Sequence, residues 1–242
     1  MFSLLLHADP ERLDLLIAEL HELGTAGIVE EEGGVRAFFE KDSEGEFLGA
    51  RFAEFSPTFR AENGTNWVLF TQESWPPMEV GQRFFVVAPW HADVPTPQGK
   101  LRLETLPGMR CGTGRHPATQ LCLTALERSI KPGARVLDVG SGSGILTDAA
   151  KLLGAGVVIG CDIDPEAAPM FVGSADAVRP GWADVVVANI DAATIERIAP
   201  ELQRVRAAGS VMILSGFQKW DLPEGFANAE ALELEEWACL IC

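Results

Sequence analysis

The chain has 242 residues, 47% of them hydrophobic, which suits one large folded domain or a medium one plus a small one and excludes disorder. Its net charge of −16 excludes a nucleic-acid surface built on a basic stripe and favours a basic partner through long-range attraction. No apolar run reaches membrane-span length, and the apolar start Met1–His7 lacks a basic flank and soon meets Asp9 and Glu11, so neither a membrane protein nor a signal peptide is expected.

Residues 2–7 read as a strand. From Asp9 to Leu23 an N-capping Asp, Pro10 at the first helical position and the face Leu13, Leu16, Ile17, Leu20 and Leu23 predict a helix that Gly24 stops. Ala26–Glu31 and Val35–Phe39 then predict a hairpin across Gly33-Gly34. This β-α-β-β start suggests a small α+β sandwich of ferredoxin-like type over residues 1–60. That segment holds 13 Asp/Glu against 5 Lys/Arg. Residues 61–80 read as a linker helix ending at Pro76-Pro77. Phe84–Ala88 is a short strand, Pro89–Pro97 a loop, Pro107–Pro117 a glycine-rich loop and Thr119–Arg128 a helix.

The apolar run Ala134–Val139 predicts a buried strand. Ile145–Leu153 reads as a helix, Val157–Cys161 as the next parallel strand, Ala183–Ile190 as another, Ala192–Val205 as a helix and Ser210–Leu214 as a strand. Alternating β and α segments imply a parallel, Rossmann-like α/β sheet with helices on both faces. One stretch conflicts with that pattern. Only eight residues separate Cys161 from Met170, and a parallel crossover needs a dozen or more. Either the third strand at Met170–Gly173 has no helix and is displaced, or the natural polypeptide carries further residues between Asp164 and Met170, which is the expectation here. Phe217–Gly225 is similarly short for a helix before a final hairpin.

The motif with most chemical content is Asp138-Val-Gly-Ser-Gly-Ser-Gly144, followed at one βαβ spacing by Asp162. Glycines let backbone approach a ligand closely, the helix start offers N–H groups, and an acid at the second strand end can take both hydroxyls of a ribose. A dinucleotide fingerprint would place its third glycine at residue 145, which is Ile145. Asp138 also suits a ligand ammonium better than a pyrophosphate. The spacing therefore predicts an S-adenosylmethionine (SAM) site over a nicotinamide site or a ligand-free tight turn. Cys239-x-x-Cys242 has redox or metal spacing but no second pair or histidine. In a terminal strand the two side chains would face opposite ways, so reduced, inert thiols and no metal are expected.

Pro107-Gly-Met-Arg-Cys-Gly-Thr-Gly-Arg-His-Pro-Ala-Thr119, Phe84–Trp90, Val185-Val-Val-Ala-Asn-Ile190, Leu214-Ser-Gly216 and Glu235-Glu-Trp237 resemble signatures of the ribosomal protein L-eleven methyltransferase (PrmA) family. The resemblance implies residues 1–60 as a substrate-recognition domain, 61–80 as a linker and 81–242 as a class I SAM-dependent methyltransferase domain. It places cofactor contacts on Thr119, Gly140, Asp162 and Asn189, with Gly142 beside them and Asn189 also orienting an incoming amine. It implies a cytoplasmic enzyme, a monomer, that methylates lysine or terminal amines of a basic ribosomal protein without touching nucleic acid. The other readings are a SAM-binding module without catalysis, or a methyltransferase repurposed for another substrate. His116 is a candidate base by composition, but a structural histidine before Pro117 is the reading preferred. Arg110-Cys111, Ala118 and Asp191 depart from the family pattern. Asp191 adds charge near the acceptor, and Asp176 is a candidate for the adenine amine.

Overall fold

In the computed structural model, the described residues are all except 1, 9–11, 13–15, 18, 21–22, 26, 32, 40–44, 62–74, 107–113, 166, 168–170 and 227, with the side chains of 30, 45 and 46 also outside. The chain divides into two compact units, Met1–Thr71 and Gln72–Cys242.

The first unit comprises β1 (Phe2–His7), β2 (Gly27–Glu31), β3 (Gly34–Phe39), α1 (Gly45–Arg51) and β4 (Thr58–Ala61). Its sheet is antiparallel in the order β2-β3-β1-β4. That order is the one a split β-α-β produces, with the first strand inserted between the third and fourth. Alternation puts Phe2, Leu4 and Leu6 of β1 on the face that carries Val35, Ala37 and Phe39 of β3. Leu16 and Leu20, in the stretch expected as the first helix, are helical and buried in the same core. The helix α1 and strand β4 had no clear pattern in the sequence.

Most of the expected linker helix falls on residues 62–74, outside the described residues. At its end the expectation is corrected: Met78–Val80 is a strand, not helix. Pro76 and Pro77 cannot donate helical hydrogen bonds, and Gly81 at φ +57 turns the chain back into a hairpin. The second unit therefore opens with a three-stranded sheet of β5 (Met78–Val80), β6 (Phe84–Val87) and β7 (Leu101–Glu104). Glu127 locks the β5–β6 turn by accepting from the backbone N–H groups of Gln82 at 3.0 Å and Arg83 at 2.8 Å.

There follow α2 (Pro117–Ser129), β8 (Arg135–Val139), α3 (Ile145–Leu152), β9 (Val157–Asp162), β10 (Phe171–Val172), β11 (Ala183–Asn189), α4 (Ala192–Val205), β12 (Arg206–Gln218), β13 (Glu230–Leu234) and β14 (Trp237–Ile241). The sheet order is β10-β9-β8-β11-β12-β14-β13, parallel through β12, with β14 and β13 antiparallel. Counted along the chain this is 3-2-1-4-5-7-6. The order reverses between β8 and β11, the point where open α/β sheets bind ligands at their carboxyl ends. One face packs Leu123, Leu126, Ile145 and Ala149 on Val136, Val185 and Ile213; the other packs Ile195, Leu202 and Val205 on Leu137, Val186 and Met212.

The third strand is present and in place. Phe171 and Val172 pair in parallel with Cys161 and Asp162. The displaced strand, the other reading of the short connection, is thus excluded: a strand of two residues needs little reach, and residues 166 and 168–170 of the connection lie outside the described residues. Beyond the expected Ser210–Leu214, β12 runs for 13 residues. Arg206 fastens its start by donating to the carbonyls of Ser210 and Cys242 at 2.9 and 3.2 Å. The stretch after Phe217 forms turns, and the Glu224 backbone N–H donates to the Glu196 carboxylate at 2.7 Å.

Candidate active site

The site forms where β8, β9 and β11 end. After Val139 the chain enters a loop in which Gly140, Gly142 and Gly144 take φ of +72, +51 and +81, a region that side chains rarely adopt. Gly144 is the N-cap of α3, and the Ser143 hydroxyl beside it accepts from the Ile145 N–H at 3.4 Å. The loop is pinned to the neighbouring strand: Gly140 and Ser141 donate to the Cys161 carbonyl at 2.8 and 3.0 Å. Asp162 Oδ2 accepts from the Gly142 N–H at 2.9 Å, and its Oδ1 from the Asp164 N–H at 2.9 Å. Each carboxylate oxygen has a second lone pair free in this arrangement, so the group is fixed in direction yet able to accept from a diol.

Asp138 does not present its carboxylate at the surface, and the expectation that it faces a ligand ammonium is modified accordingly. It is 0% exposed, and Thr147 of α3 donates its hydroxyl to Oδ2 at 2.8 Å. Oδ1 and the nearby Ser141 Oγ are buried without a partner. Burial pushes the Asp138 carboxyl up to about 7, opposed by the Thr147 bond and assisted by Asp162 and Asp148. Burial and the Asp138 charge likewise push the Cys161 thiol up to about 12.

On the other side of the switch point, Asn189 ends β11 and donates from Nδ2 to the Thr119 hydroxyl at 3.2 Å. Thr119, in the first turn of α2, is buried. Because its oxygen accepts from Asn189, its own proton is free to donate. All five residues marked in the sequence therefore lie about the switch point: Gly140, Gly142 and Asp162 where β8 and β9 end, and Asn189 where β11 ends, bonded to Thr119. Ile190 bridges them, since a Cβ on Gly140 would lie 2.6 Å from Ile190 Cγ2. Gly114, at φ +83, closes the approach from the loop before α2; a Cβ there would lie 2.9 Å from Val86 and 3.0 Å from Ile145.

One sequence reading, the structural His116, stands, and two others, Asp191 and Asp176, change. His116 caps α2, its Nδ1 accepting from the Ala118 N–H at 3.3 Å, and sits edge-on to Trp237 with centroids 4.3 Å apart. Burial holds its pKa below the ordinary histidine value against the pull of Glu235, which fits the structural role and not a base. Asp191 spends its carboxylate on α4, accepting from the Thr194 N–H at 2.9 Å, so it is a helix cap and not a charge aimed at the acceptor. Asp176 lies in a short 3-10 turn, Ala175–Ala177, instead of ending the third strand, and Arg204 holds the Ala175 and Asp176 carbonyls there. Arg110 and Cys111 lie outside the described residues. The four described cysteines are free thiols; Cys239 packs into the core on one face of the sheet and Cys242 against the other, as their spacing in a strand requires.

The sequence analysis missed Thr147, Ile190 and Gly216. Only Gly216 carried a local signal, as a glycine directly after an apolar strand.

The glycine-rich loop pinned to Cys161 and the Asp162 carboxylate fixed beside it, with Asn189 and Thr119 across the switch point, make a cradle with an acid placed for a diol, which fits SAM. Comparison with known proteins agrees. Residues 14–242 match the family model described as ribosomal protein L11 methyltransferase (PrmA). The ribosomal protein L11 methyltransferase of Burkholderia lata is 43% identical over 202 residues, covering 76% of this chain and 67% of the relative. That of Paraburkholderia xenovorans is 38% identical over 208 residues, covering 77% and 69%. The crystal structure of ribosomal protein L11 methylase from Lactobacillus delbrueckii subsp. bulgaricus aligns with a TM-score of 0.61 at 27% identity, covering 69% of this chain and 97% of that one. The chain thus spans about two thirds of the length of these curated relatives.

Proposed function

This chain belongs to the ribosomal protein L11 methyltransferase (PrmA) family of SAM-dependent enzymes, and on that premise we propose that it N-methylates ribosomal protein L11 on lysine or terminal amines in the cytoplasm. The observation that carries the reading of the site is the bond from the Gly142 N–H to Asp162 across the glycine loop at the switch point.

When bound, SAM supplies a methyl carbon on a positively charged sulfur, already activated for displacement by an amine. The protein's task is then to hold the partners in line, and positioning supplies most of the rate. Gly140 and Gly142 would allow backbone contact, Asp162 would accept from the ribose hydroxyls, and Thr119 would donate to the polar end of the cofactor. Asn189, held by Thr119, would offer its amide oxygen to steer the incoming amine. The acceptor amine must arrive uncharged, which an apolar enclosure favours by lowering its pKa.

The substrate-recognition role is assigned to residues 1–60, the linker to 61–80 and the chemistry to 81–242. The acidic surplus of the first segment supports a basic protein as the substrate. Titration calorimetry with S-adenosylhomocysteine tests the site. Asp162→Ala is expected to weaken binding at least tenfold, because it removes both the diol acceptor and the anchor of Gly142. Unchanged binding by that variant, or tighter binding of NAD than of SAM, would overturn the assignment.

A further inference from the structure

Ile190 follows Asn189 at the end of the Val185–Ile190 motif, and two positions around it admit no side chain. Its backbone N–H donates to the Ser215 carbonyl of β12 at 2.9 Å. The next residue, Gly216, has φ +98, and a Cβ there would stand 2.6 Å from both the N and the O of Ile190 and 2.8 Å from its carbonyl carbon. The pairing of β12 with β14 shifts register between Ser215 and Phe217, so Gly216 is the extra residue of a bulge. On the opposite side Gly140, at φ +72, would put its Cβ 2.6 Å from Ile190 Cγ2. The two contacts differ in kind: Gly216 meets backbone, which cannot rotate away, whereas Gly140 meets the branch of a side chain.

We propose that Ile190 is a positioning residue, a spacer that sets the distance between the glycine loop and Asn189. Its backbone rests on the Gly216 bulge, which fixes where Asn189 leaves β11 and hence the reach of Nδ2 to Thr119. Its Cγ2 rests on Gly140, which fixes how far the cofactor loop can rise toward that asparagine. The proposal rests on the assignment of Gly140 and Asn189 to the cofactor site.

Calorimetry with S-adenosylhomocysteine on the full chain separates these contacts. Gly140→Ala is expected to weaken binding at least tenfold. Adding Ile190→Ala, which deletes Cγ2, should recover at least threefold of that loss. Adding Ile190→Val, which keeps a methyl at Cγ2, should recover none. The left-handed strain of alanine at residue 140 is common to all three, so it cancels from the comparison. Gly216→Ala should weaken binding at least fivefold and gain nothing from Ile190→Ala, because the atoms it meets are backbone. Melting temperature is read beside affinity; a general loss of packing would shift it with Ile190→Ala and Ile190→Val alike and give no selective recovery. If Gly216→Ala does not fold, the residue 140 series decides alone. Equal affinities for Gly140→Ala with and without Ile190→Ala would overturn the spacer role while leaving the site in place. Unchanged binding by both Gly140→Ala and Asn189→Ala would overturn the site assignment, and the proposal with it.

Discussion

Two aspartates twenty-four residues apart, both at the switch point, are set to opposite tasks by their surroundings. Asp162 accepts two backbone N–H groups, which hold its carboxylate at the strand end. Asp138 is wholly buried, and its carboxyl titrates at about 7. Its raised pKa means that the folded protein holds a proton which the unfolded chain releases near the ordinary value of about 4. Stability of the ligand-free protein therefore falls as pH rises from roughly 4 to 7 through this group, and is flat with respect to it above that window. Melting temperatures across this range should show a shallower decline for Asp138→Asn than for the wild type. Identical slopes would show that Asp138 is charged at neutral pH in the folded state. The sequence marked Asp138 as the acid opening a glycine loop. It did not show that Thr147 takes one of its oxygens, because a strand-to-helix contact across nine residues leaves no periodic trace.

At the scale of elements, α4 depends on its first turn. Asp191 lies with its carboxyl below the usual carboxylate range because the Thr194 hydroxyl and backbone N–H favour its charged form. Asp191→Ala should lower stability by about 1 kcal/mol, the usual cost of losing a helix cap, with S-adenosylhomocysteine affinity within threefold of wild type. A tenfold loss of affinity at unchanged melting temperature would instead place Asp191 among the ligand contacts. The boundaries of α4 were legible because a capping acid precedes a strongly amphipathic run. The parallel strands β8, β9 and β11 were legible as short apolar runs between glycine breaks. Shorter pieces were not. Leu101–Glu104 pairs with β6 through only four residues, too few for any periodicity to register, whereas the two residues Phe171–Val172 fall within the strand expected at Met170–Gly173. Met78–Val80 was hidden by the helical composition before it, and the two prolines that end that stretch mark the change.

At the scale of the molecule, the sequence defined the second unit better than the first. The glycine loop and the acid at the second strand end require a particular order of strands, and the sheet has that order. The first unit is specified by hydrophobic alternation and by charge. Its 71 residues hold 14 Asp/Glu against 5 Lys/Arg, an imbalance that speaks to a basic partner and to no particular one. The proposed recognition by the acidic unit and the proposed transfer at the SAM site come together in one experiment: the full chain incubated with ribosomal protein L11 and isotopically labelled SAM, followed by mapping of the label by mass spectrometry. The account predicts label on lysine or terminal amines of that protein, abolished by Asp162→Ala. A sample that binds S-adenosylhomocysteine yet places no label on ribosomal protein L11 would contradict it.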